Sequence, residues 1–345
     1  MSLDSLPNEL ILRIGELADS QADLLALSRT SRLHHDVLDK LLIPYNIEHT
    51  RSNGLHWAVS HNDLKLAKRF LNRPGLNMNL PALERENILA NINLTTFARL
   101  DHDGLFDPPL YVAINKGHTE MALVLLDNGA TPEIDNWRGT TNTMDLAICR
   151  GHQDIVRKMT ELNVDTTKLV VSPSRRRAQP AQISRIVWAV VHNQPSVLHP
   201  LLADISTHHP QELHAHQQAA LVTAAHHGYL YSITILLDSG AAIDGTPGQR
   251  LRAIDVAISE NQPEAVELLL ERGSDLRRNQ HDLAGAYMRH CRRLRRRARI
   301  PGAGVGPQRL DMMSDRVTRA LVHGAQRFPE PFPADFERLL RANSL

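Results

Sequence analysis

Histidine gives this sequence most of its potential for chemistry, because 19 of the 345 residues are histidines. His214 and His216 are separated by one residue, and three further pairs are adjacent: His34-His35, His208-His209 and His226-His227. A zinc site needs three or four convergent ligands, usually held in place by further hydrogen bonds. No cysteine and few carboxylates stand at suitable spacing, so we interpret these histidines as polar residues of turns and surfaces. The sequence predicts neither a metal site nor a cofactor.

Motifs for catalysis are missing from the sequence. It contains no glycine-rich phosphate loop with Lys-Ser or Lys-Thr, no Gly-x-Ser-x-Gly turn and no His-Glu-x-x-His helix. The glycine-rich run at 302–307 has no predicted strand before it and ends in Pro307, so it is interpreted as a hinge and not as a dinucleotide-binding loop. We therefore expect a chain without catalytic activity of its own.

Composition and charge narrow the function classes further. The formal net charge is +1, so the chain as a whole is not a polycation. Its two cysteines, Cys149 and Cys291, cannot form a disulfide framework, which favours a reducing compartment, the cytoplasm or the nucleus. The first residues lack the basic and apolar segments of a signal peptide. The longest apolar run, Ile186 to Val191, is too short to cross a bilayer, so no membrane partner is expected.

A repeated sequence pattern predicts the helices that position the residues discussed above. It consists of a hydrophobic residue, an alanine three positions later, Gly or Asn four positions after the alanine, and then an apolar stripe. The gaps between the alanines are 55, 34, 42, 35 and 33 residues. A period near 33 residues is typical of stacked helical repeats, which hold partners. The six alanines are Ala58, Ala113, Ala147, Ala189, Ala224 and Ala257.

The best-preserved copies predict two antiparallel helices in each repeat. Counted from Gly117 and Gly228, hydrophobic residues recur at +5, +8 and +9, which places them on one helical face. These two glycines suit a tight turn that requires a positive φ. Gly129 and Gly240 stand where the second helix should end. In the fourth copy, Asn193 takes the place of the turn glycine.

The repeat resembles the ankyrin repeat. The family's Thr-Pro-Leu-His-x-Ala motif is similar to Leu55–Ala58 and Pro109–Ala113, and its hairpin is similar to Gly129-Ala130, Asp135 and Gly139-Thr140. The resemblance covers residues 51–280, with about six repeats and with insertions at 78–108 and 170–182. It implies an all-α solenoid with short hairpin loops. A generic helical array, such as HEAT or tetratricopeptide repeats, is the alternative.

Residues 1–45 do not follow the repeat and predict three short helices. Pro7 fits the first turn of the first helix, whose apolar stripe is Leu10, Ile14 and Leu17. Asp23 is expected to cap the second helix. A third helix should begin near Ser31 and end at Pro44. So small a bundle cannot bury all its leucines, which predicts a surface that a partner or the next domain covers.

The order Leu-Pro-x-Glu-Leu, then Ile14, then an Asp-Leu-Leu-Ala-Leu helix, resembles the F-box. That family docks on the Skp-type adaptor of cullin–RING ubiquitin ligases. An aromatic usually found near the end of the F-box is offset here, at Tyr45. An F-box followed by ankyrin repeats resembles the fungal F-box/ankyrin proteins. By this resemblance the adaptor contacts are Leu6, Pro7, Leu10, Ile14, Leu24 and Leu27. The alternative is that residues 1–45 are an N-terminal cap on the solenoid.

Target contacts are expected on the repeats, because ankyrin stacks generally bind through hairpin tips and the concave helix face. Trp137 is the strongest candidate, since an aromatic on a loop tip is a common anchor, although it could also pack on the neighbouring hairpin. The candidate target contacts are Glu133, Asp135, Trp137, Arg138, Gln249 and Arg252.

The segment 281–345 combines a basic run with predicted C-terminal helices. Seven arginines stand between Arg289 and Arg299, which suggests nuclear import or an acidic partner, or simply a solvated helix and linker. Aromatic residues do not interleave with them, so a nucleic-acid partner is not expected.

These observations predict the substrate receptor of a cullin–RING ubiquitin ligase, which contacts the adaptor and the cullin scaffold at one end and an unknown target protein with its repeats. The alternative is an ankyrin scaffold that binds a partner without ubiquitin transfer. The oligomeric state stays open.

Overall fold

A computed structural model describes residues 6–17, 21–49, 53–73, 76–79, 107–136, 141–172, 181–245, 252–276, 286–287, 289, 316–321 and 323. The described residues are mostly helical, as the sequence predicted. The helices are α1 (Asn8–Glu16), α2 (Gln21–Ser28), α3 (Arg32–His49), α4 (Asn53–Ser60), α5 (Leu64–Leu71), α6 (Pro109–Lys116), α7 (Thr119–Asp127), α8 (Thr143–Arg150), α9 (Gln153–Glu161), α10 (Arg185–Val191), α11 (Leu198–His208), α12 (Pro210–His227), α13 (Leu230–Asp238), α14 (Ala253–Ser259) and α15 (Pro263–Glu271). A short 3₁₀ helix, Pro195–Val197, precedes α11, and two strands are β1 (Leu169–Ser172) and β2 (Ala181–Ser184).

The chain forms two compact units, Met1–Val164 and Asp165–Leu345. In the first unit, α1 and α2 pack on α3, α3 packs on α4, and the inner helices α4, α6 and α8 stack in order. In the second unit, α10, α12 and α14 form the inner row and α11, α13 and α15 form the outer row. Because the division falls inside the repeats, the predicted boundaries at 45 and 280 stay predictions from sequence pattern.

Each repeat alanine lies at the centre of this packing. All six repeat alanines are completely buried in the inner helices of the six described helix pairs. A methyl side chain lets neighbouring helices approach closely, which explains why the position is invariant along the chain. The apolar residues at the predicted offsets, such as Leu125 and Leu236, are equally buried.

The turn within each helix pair uses a left-handed residue. Gly117 and Gly228 have φ values of 76° and 71°, as predicted, and Gly129 and Gly240 have φ values of 90° and 92° after the second helix. Asn193 has a φ of 53°, so asparagine fills the same conformational role where glycine is missing.

Two predicted helix boundaries in the N-terminal region are wrong. Helix α2 begins at Gln21, so Asp23 lies in its first turn and not at its cap. Pro44 lies inside α3, which continues to His49. The ring of Pro44 is exposed, and the residues after it have tertiary contacts: Tyr45 packs on the apolar cluster of the bundle and Asn46 is buried. Those contacts offset the hydrogen bond that proline cannot donate.

The predicted insertion at 170–182 contains strand residues at both ends. Strand β1 pairs antiparallel with β2, with Val170 opposite Ile183 and Val171 opposite Gln182. Val170 is buried while Val171 is 54% exposed, as the alternation of a strand requires. Most of the predicted insertion at 78–108 and most of the predicted C-terminal helices lie outside the described residues, although residues 316–321 are helical.

Candidate binding surfaces

Helix α1 presents an apolar face to solvent. Leu10, Ile14 and Leu17 are 50%, 40% and 73% exposed, and their spacing of four and three residues places them on one side of the helix. Ile11 and Gly15 are buried on the opposite side. Large apolar side chains with this exposure and alignment form a patch of the kind that marks interaction sites.

The inner side of α1 is held by a small core. Ile11, Val37 and Leu38 are buried together, and Leu6 and Leu27 pack against them while partly exposed. Leu6 and Leu27 therefore support the bundle as well as reaching the surface. Pro7 is exposed and precedes α1, where its fixed φ suits the entry into a helix. The side chain of Leu24 lies outside the described residues.

The N-terminal bundle is joined to the first repeat by one specific hydrogen bond. The backbone N–H of Gly54 donates to Oδ1 of Asn46 at 3.0 Å, and Asn46 is 2% exposed. A Cβ at residue 54 would collide with the ring of Phe70, which is itself buried. Glycine at this position thus allows α3 and α5 to close around the start of α4.

The hairpin before α8 contains two of the predicted target contacts. Asp135 is exposed and forms an isolated bridge with Asn142. Glu133 is half-buried, and its Oε1 accepts a hydrogen bond from Nδ2 of Asn142 at 3.1 Å. Asn142 also caps α8 by accepting from the backbone N–H of Asp145 at 2.8 Å. Asp135 is therefore available to a partner, whereas Glu133 helps to position the hairpin.

Arg252 is not available to a target, and its prediction as a contact is wrong. It is 1% exposed and donates from Nε and Nη2 to the carboxylate of Asp255, at 2.8 and 2.9 Å. Nη1 donates to the carbonyl of Asp275 at 2.7 Å and lies 4.0 Å from Asp244. Burial opposes the charge of Arg252, but the hydrogen bond and charge of Asp255, with Asp244 and Asp275, outweigh it and raise the pKa of Arg252. Trp137, Arg138 and Gln249 lie outside the described residues.

A row of cationic residues at the helix turns of the first unit was missed by the sequence analysis. Lys116 and Arg150 stand three residues after Ala113 and Ala147, at the ends of α6 and α8. His61 stands three residues after Ala58. Aligning the copies on their alanines would have shown a basic or imidazole residue at this position in five of the six copies, three of them in the first unit: His61, Lys116 and Arg150. We call these three residues the turn row.

The turn row is connected from repeat to repeat by hydrogen bonds. Lys116 donates from Nζ to Oγ of Ser60 at 2.6 Å, and Arg150 donates from Nη2 to Oδ1 of Asn115 at 2.8 Å. Beneath them, imidazole Nε2 of His118 donates to the carbonyl of Ser60 at 3.4 Å. Nε2 of His152 donates to the carbonyl of Ile114 at 3.2 Å in the same way. These histidines thus tie neighbouring repeats together.

Within the described ranges, no three His, Cys, Asp or Glu side chains are grouped to hold a metal ion. Among the same residues, no helix has the length and apolarity needed to span a membrane.

Family models identify the repeats. Residues 186–280 match a model of three ankyrin repeats, and residues 107–137 match a model of a single ankyrin repeat. The chain therefore contains ankyrin repeats, and these mediate protein–protein interaction. The F-box resemblance of residues 1–45 stays a prediction.

Solved structures similar to this chain include several ankyrin proteins. The ankyrin repeat domain of human ASB11 is 21% identical, with a TM-score of 0.46, over 81% of this chain and 99% of that one. The ankyrin repeat domain of Bcl-3, described as a member of the IkappaB family, is 16% identical, with a TM-score of 0.43, over 64% of this chain and 86% of that one. One chain in the structure of the Bdellovibrio bacteriovorus predatory endopeptidase Bd0816 in complex with immunity protein Bd3460 is 17% identical, with a TM-score of 0.43. The match covers 64% of this chain and 98% of that one. No curated protein sequence matches this chain significantly.

Proposed function

We propose that this protein is the substrate receptor of a cullin–RING ubiquitin ligase, with α1 docking on a Skp-type adaptor and the repeats binding the target. The observation that carries the proposal is the exposed apolar face of α1, formed by Leu10, Ile14 and Leu17. This face lies outside the repeats and coincides with the segment that resembles the F-box. Docking on an adaptor would bury these side chains, each contributing about 1.5–3 kcal/mol when fully buried.

In this mechanism the chain positions its target for a reaction that other subunits carry out. The adaptor holds one end of the chain, and the repeats hold a target near a ubiquitin-conjugating enzyme carried by the cullin scaffold. Tethering raises the effective concentration of the target lysine at that enzyme. Bond formation belongs to other subunits, so this chain needs no nucleophile or base. The role requires the cytoplasm or the nucleus.

Target contacts are proposed at the hairpin tips. Asp135 is the described candidate, because its carboxylate is exposed. Trp137 and Arg138 follow it in the sequence, and Gln249 precedes α14 by a few residues in the sequence. Trp137 remains the proposed anchor, since truncation of a tryptophan at the centre of an interface typically has a large effect on affinity.

The test is co-purification with a Skp-type adaptor. We expect Leu10→Asp with Ile14→Asp to abolish adaptor binding, because charge on this face cannot be desolvated in the complex. The matched control is Leu169→Asp with Val171→Asp, since these apolar side chains are 49% and 54% exposed on β1. The control should retain the adaptor. Retention of the adaptor by the α1 variant, or its absence from the wild-type complex, would refute the proposal.

A second candidate function is an ankyrin scaffold whose first three helices cap the stack. The observation that favours it is the packing of α3 on α4, with the hydrogen bond from Gly54 to Asn46. The two candidate functions predict different levels of the bound protein in cells. A receptor's target should accumulate when the α1 face is changed by Leu10→Asp and Ile14→Asp, whereas the level of a scaffold's partner should not change.

A further inference from the structure

We propose that the turn row of the first unit, with Trp57 at its end, binds an extended acidic peptide segment of the target. This inference deepens the target-binding half of the proposed function and rests on it for biological context. All residues of the site lie in the first unit.

Lys116 and Arg150 have no anionic partner among the residues that the structure describes. Lys116 and Arg150 donate to neutral oxygens, those of Ser60 and Asn115. Within the part of the chain that the structure describes, no carboxylate lies within ion-pair distance of either side chain. The outer helices of the same unit differ, because Lys158 lies 2.6 Å from Asp127. An anionic ligand would therefore meet charge that no described carboxylate neutralises.

Both cations keep hydrogen-bond donors for a ligand. A guanidinium has five N–H donors, and Arg150 uses one of them on Asn115. Lys116 directs its ammonium group to Ser60, which holds it at the edge of the stack instead of letting it extend freely. The two side chains are thus positioned before a ligand arrives, which lowers the entropy that binding would cost.

An aromatic surface lies at the end of the row. Trp57 is 52% exposed, and its ring stacks on that of His61 with centroids 4.3 Å apart and an interplanar angle of 19°. Nδ1 of His61 donates to the carbonyl of Trp57 at 2.9 Å, which fixes the imidazole in this position. A tryptophan held flat on the surface is the type of side chain that anchors a partner's apolar or proline residue.

The spacing of the row selects an extended ligand. Packed helices stand about 8–10 Å apart, so equivalent residues of successive repeats are separated by roughly that distance. A chain in the extended polyproline II conformation has three residues per turn and rises about 3.1 Å per residue, so every third side chain points to the same side and lies about 9 Å further along. A peptide with Asp or Glu at every third position therefore matches Lys116 and Arg150, with an apolar residue one further step along at Trp57.

The surroundings favour a peptide over a nucleic acid. The exposed carboxylates Glu120 and Asp154 follow Lys116 and Arg150 by four residues each, at the start of α7 and α9. A nucleic acid carries a phosphate at every nucleotide and is repelled by interspersed acids, whereas a peptide can place its charges only where cations meet them. The net charge of +1 also provides no strong general attraction for nucleic acid.

The experiment measures fluorescence anisotropy of labelled peptides with the full chain. The probe is a twelve-residue peptide with Glu at every third position, Leu near one end and Ser elsewhere. A second peptide has the same composition with its Glu residues consecutive, and a labelled oligothymidylate tests nucleic acid. The site variant is Lys116→Gln with Arg150→Gln. Arg157→Gln with Lys158→Gln is the charge-matched control on the outer helix α9.

We expect the spaced peptide to bind more tightly than the clustered one. The affinity for the spaced peptide should fall about fivefold or more in the site variant, whereas in the control variant it should stay within about twofold of wild type. Adding Trp57→Ala to the site variant should lower the affinity for the spaced peptide further. Equal losses in both charge variants, or no preference for spaced Glu, would show attraction by bulk charge and overturn the proposal. Tighter binding of oligothymidylate that depends on Lys116 and Arg150 would replace it with a nucleic-acid site. No adaptor is present in this assay, so loss of the adaptor hypothesis would leave the result intact.

Discussion

Arg252 and Asp255 form a bidentate ion pair that is almost completely buried. Nε and Nη2 of the guanidinium donate to the two carboxylate oxygens at 2.8 and 2.9 Å, and both residues are at most 2% exposed. Arg252 precedes α14 and Asp255 lies in its first turn, so the pair fixes the start of that helix. Its third contact, to the carbonyl of Asp275, ties the helix to the segment after α15.

We expect Arg252→Ala to destabilise the second unit by about 3–5 kcal/mol, because the carboxylate of Asp255 would remain buried without its partner. The measurement is urea denaturation. Arg272→Ala is the control, since Arg272 pairs with Asp238 at 2.6 Å while their side chains are 36% and 60% exposed. It should cost at most about 1 kcal/mol. Similar effects of the two changes would contradict the structural role of the buried pair.

Gly54→Ala should destabilise the junction between the N-terminal bundle and the first repeat by about 1–3 kcal/mol. The added methyl would meet the ring of Phe70, with Cε2 at 2.9 Å, and Oδ1 of Asn46 at 3.2 Å. Phe70 is 3% exposed and cannot move aside freely. Thermal unfolding followed by circular dichroism would detect the change. A double variant with Phe70→Leu should recover part of the loss if the collision is its cause, whereas an unchanged melting temperature for Gly54→Ala would refute it.

The left-handed turn of the fourth repeat predicts that substitutions by alanine and by glycine have different effects on stability. Asn193 has a φ of 53°, which glycine adopts without strain and alanine adopts at a cost of about 1–2 kcal/mol. Asn193→Ala should therefore lower the free energy of unfolding, whereas Asn193→Gly should leave it nearly unchanged. Chemical denaturation of both variants against wild type tests this ranking. Equal stability of the alanine and glycine variants would show that the turn relaxes to a negative φ.

The lowered pKa of His227 predicts that the folded state loses stability in mild acid. Burial lowers its pKa first, and the neighbouring charge of His226 lowers it further, against a smaller opposing effect of Glu260. The folded state thus binds the proton less readily than the unfolded chain. The stability that depends on neutral His227 is complete above the unfolded value, about pH 6.5, and falls as the pH drops through that value toward the lower folded pKa.

We expect His227→Gln to lose less stability than wild type when the pH falls from about 7.5 to about 5.5. Denaturant midpoints at a series of pH values provide the comparison. Between about pH 7.5 and 8.5 the two curves should run parallel, because the imidazole is neutral in both states there. Parallel curves across the acidic range as well would rule out a contribution from His227.

The repeat architecture was predictable because it depends on local pattern. Completely buried alanines at one repeat position, such as Ala113 and Ala224, and left-handed residues four positions later, such as Gly117 and Asn193, follow from helix periodicity and backbone sterics. The exposed stripe on α1 was also visible, because a short amphipathic helix with leucine on two sides cannot bury both.

Tertiary packing decided the features that the sequence left ambiguous. Arg252 was expected to contact a target, because ankyrin stacks generally bind through hairpin tips and the concave helix face. Asp255, Asp244 and the carbonyl of Asp275 instead converge on it and make burial of its charge favourable. Pro44 was expected to end α3, but the contacts of Tyr45 and Asn46 carry the helix past it.

The sequence by itself thus determined the helical repeats and the N-terminal apolar stripe, because period and side-chain size act over a few neighbouring residues. Only the tertiary structure decided which polar side chains are enclosed and which remain available, as the contrast between Arg252 and Arg150 shows. A charge is buried or left exposed according to the groups that converge on it from distant positions of the chain, and residue type alone does not specify those groups.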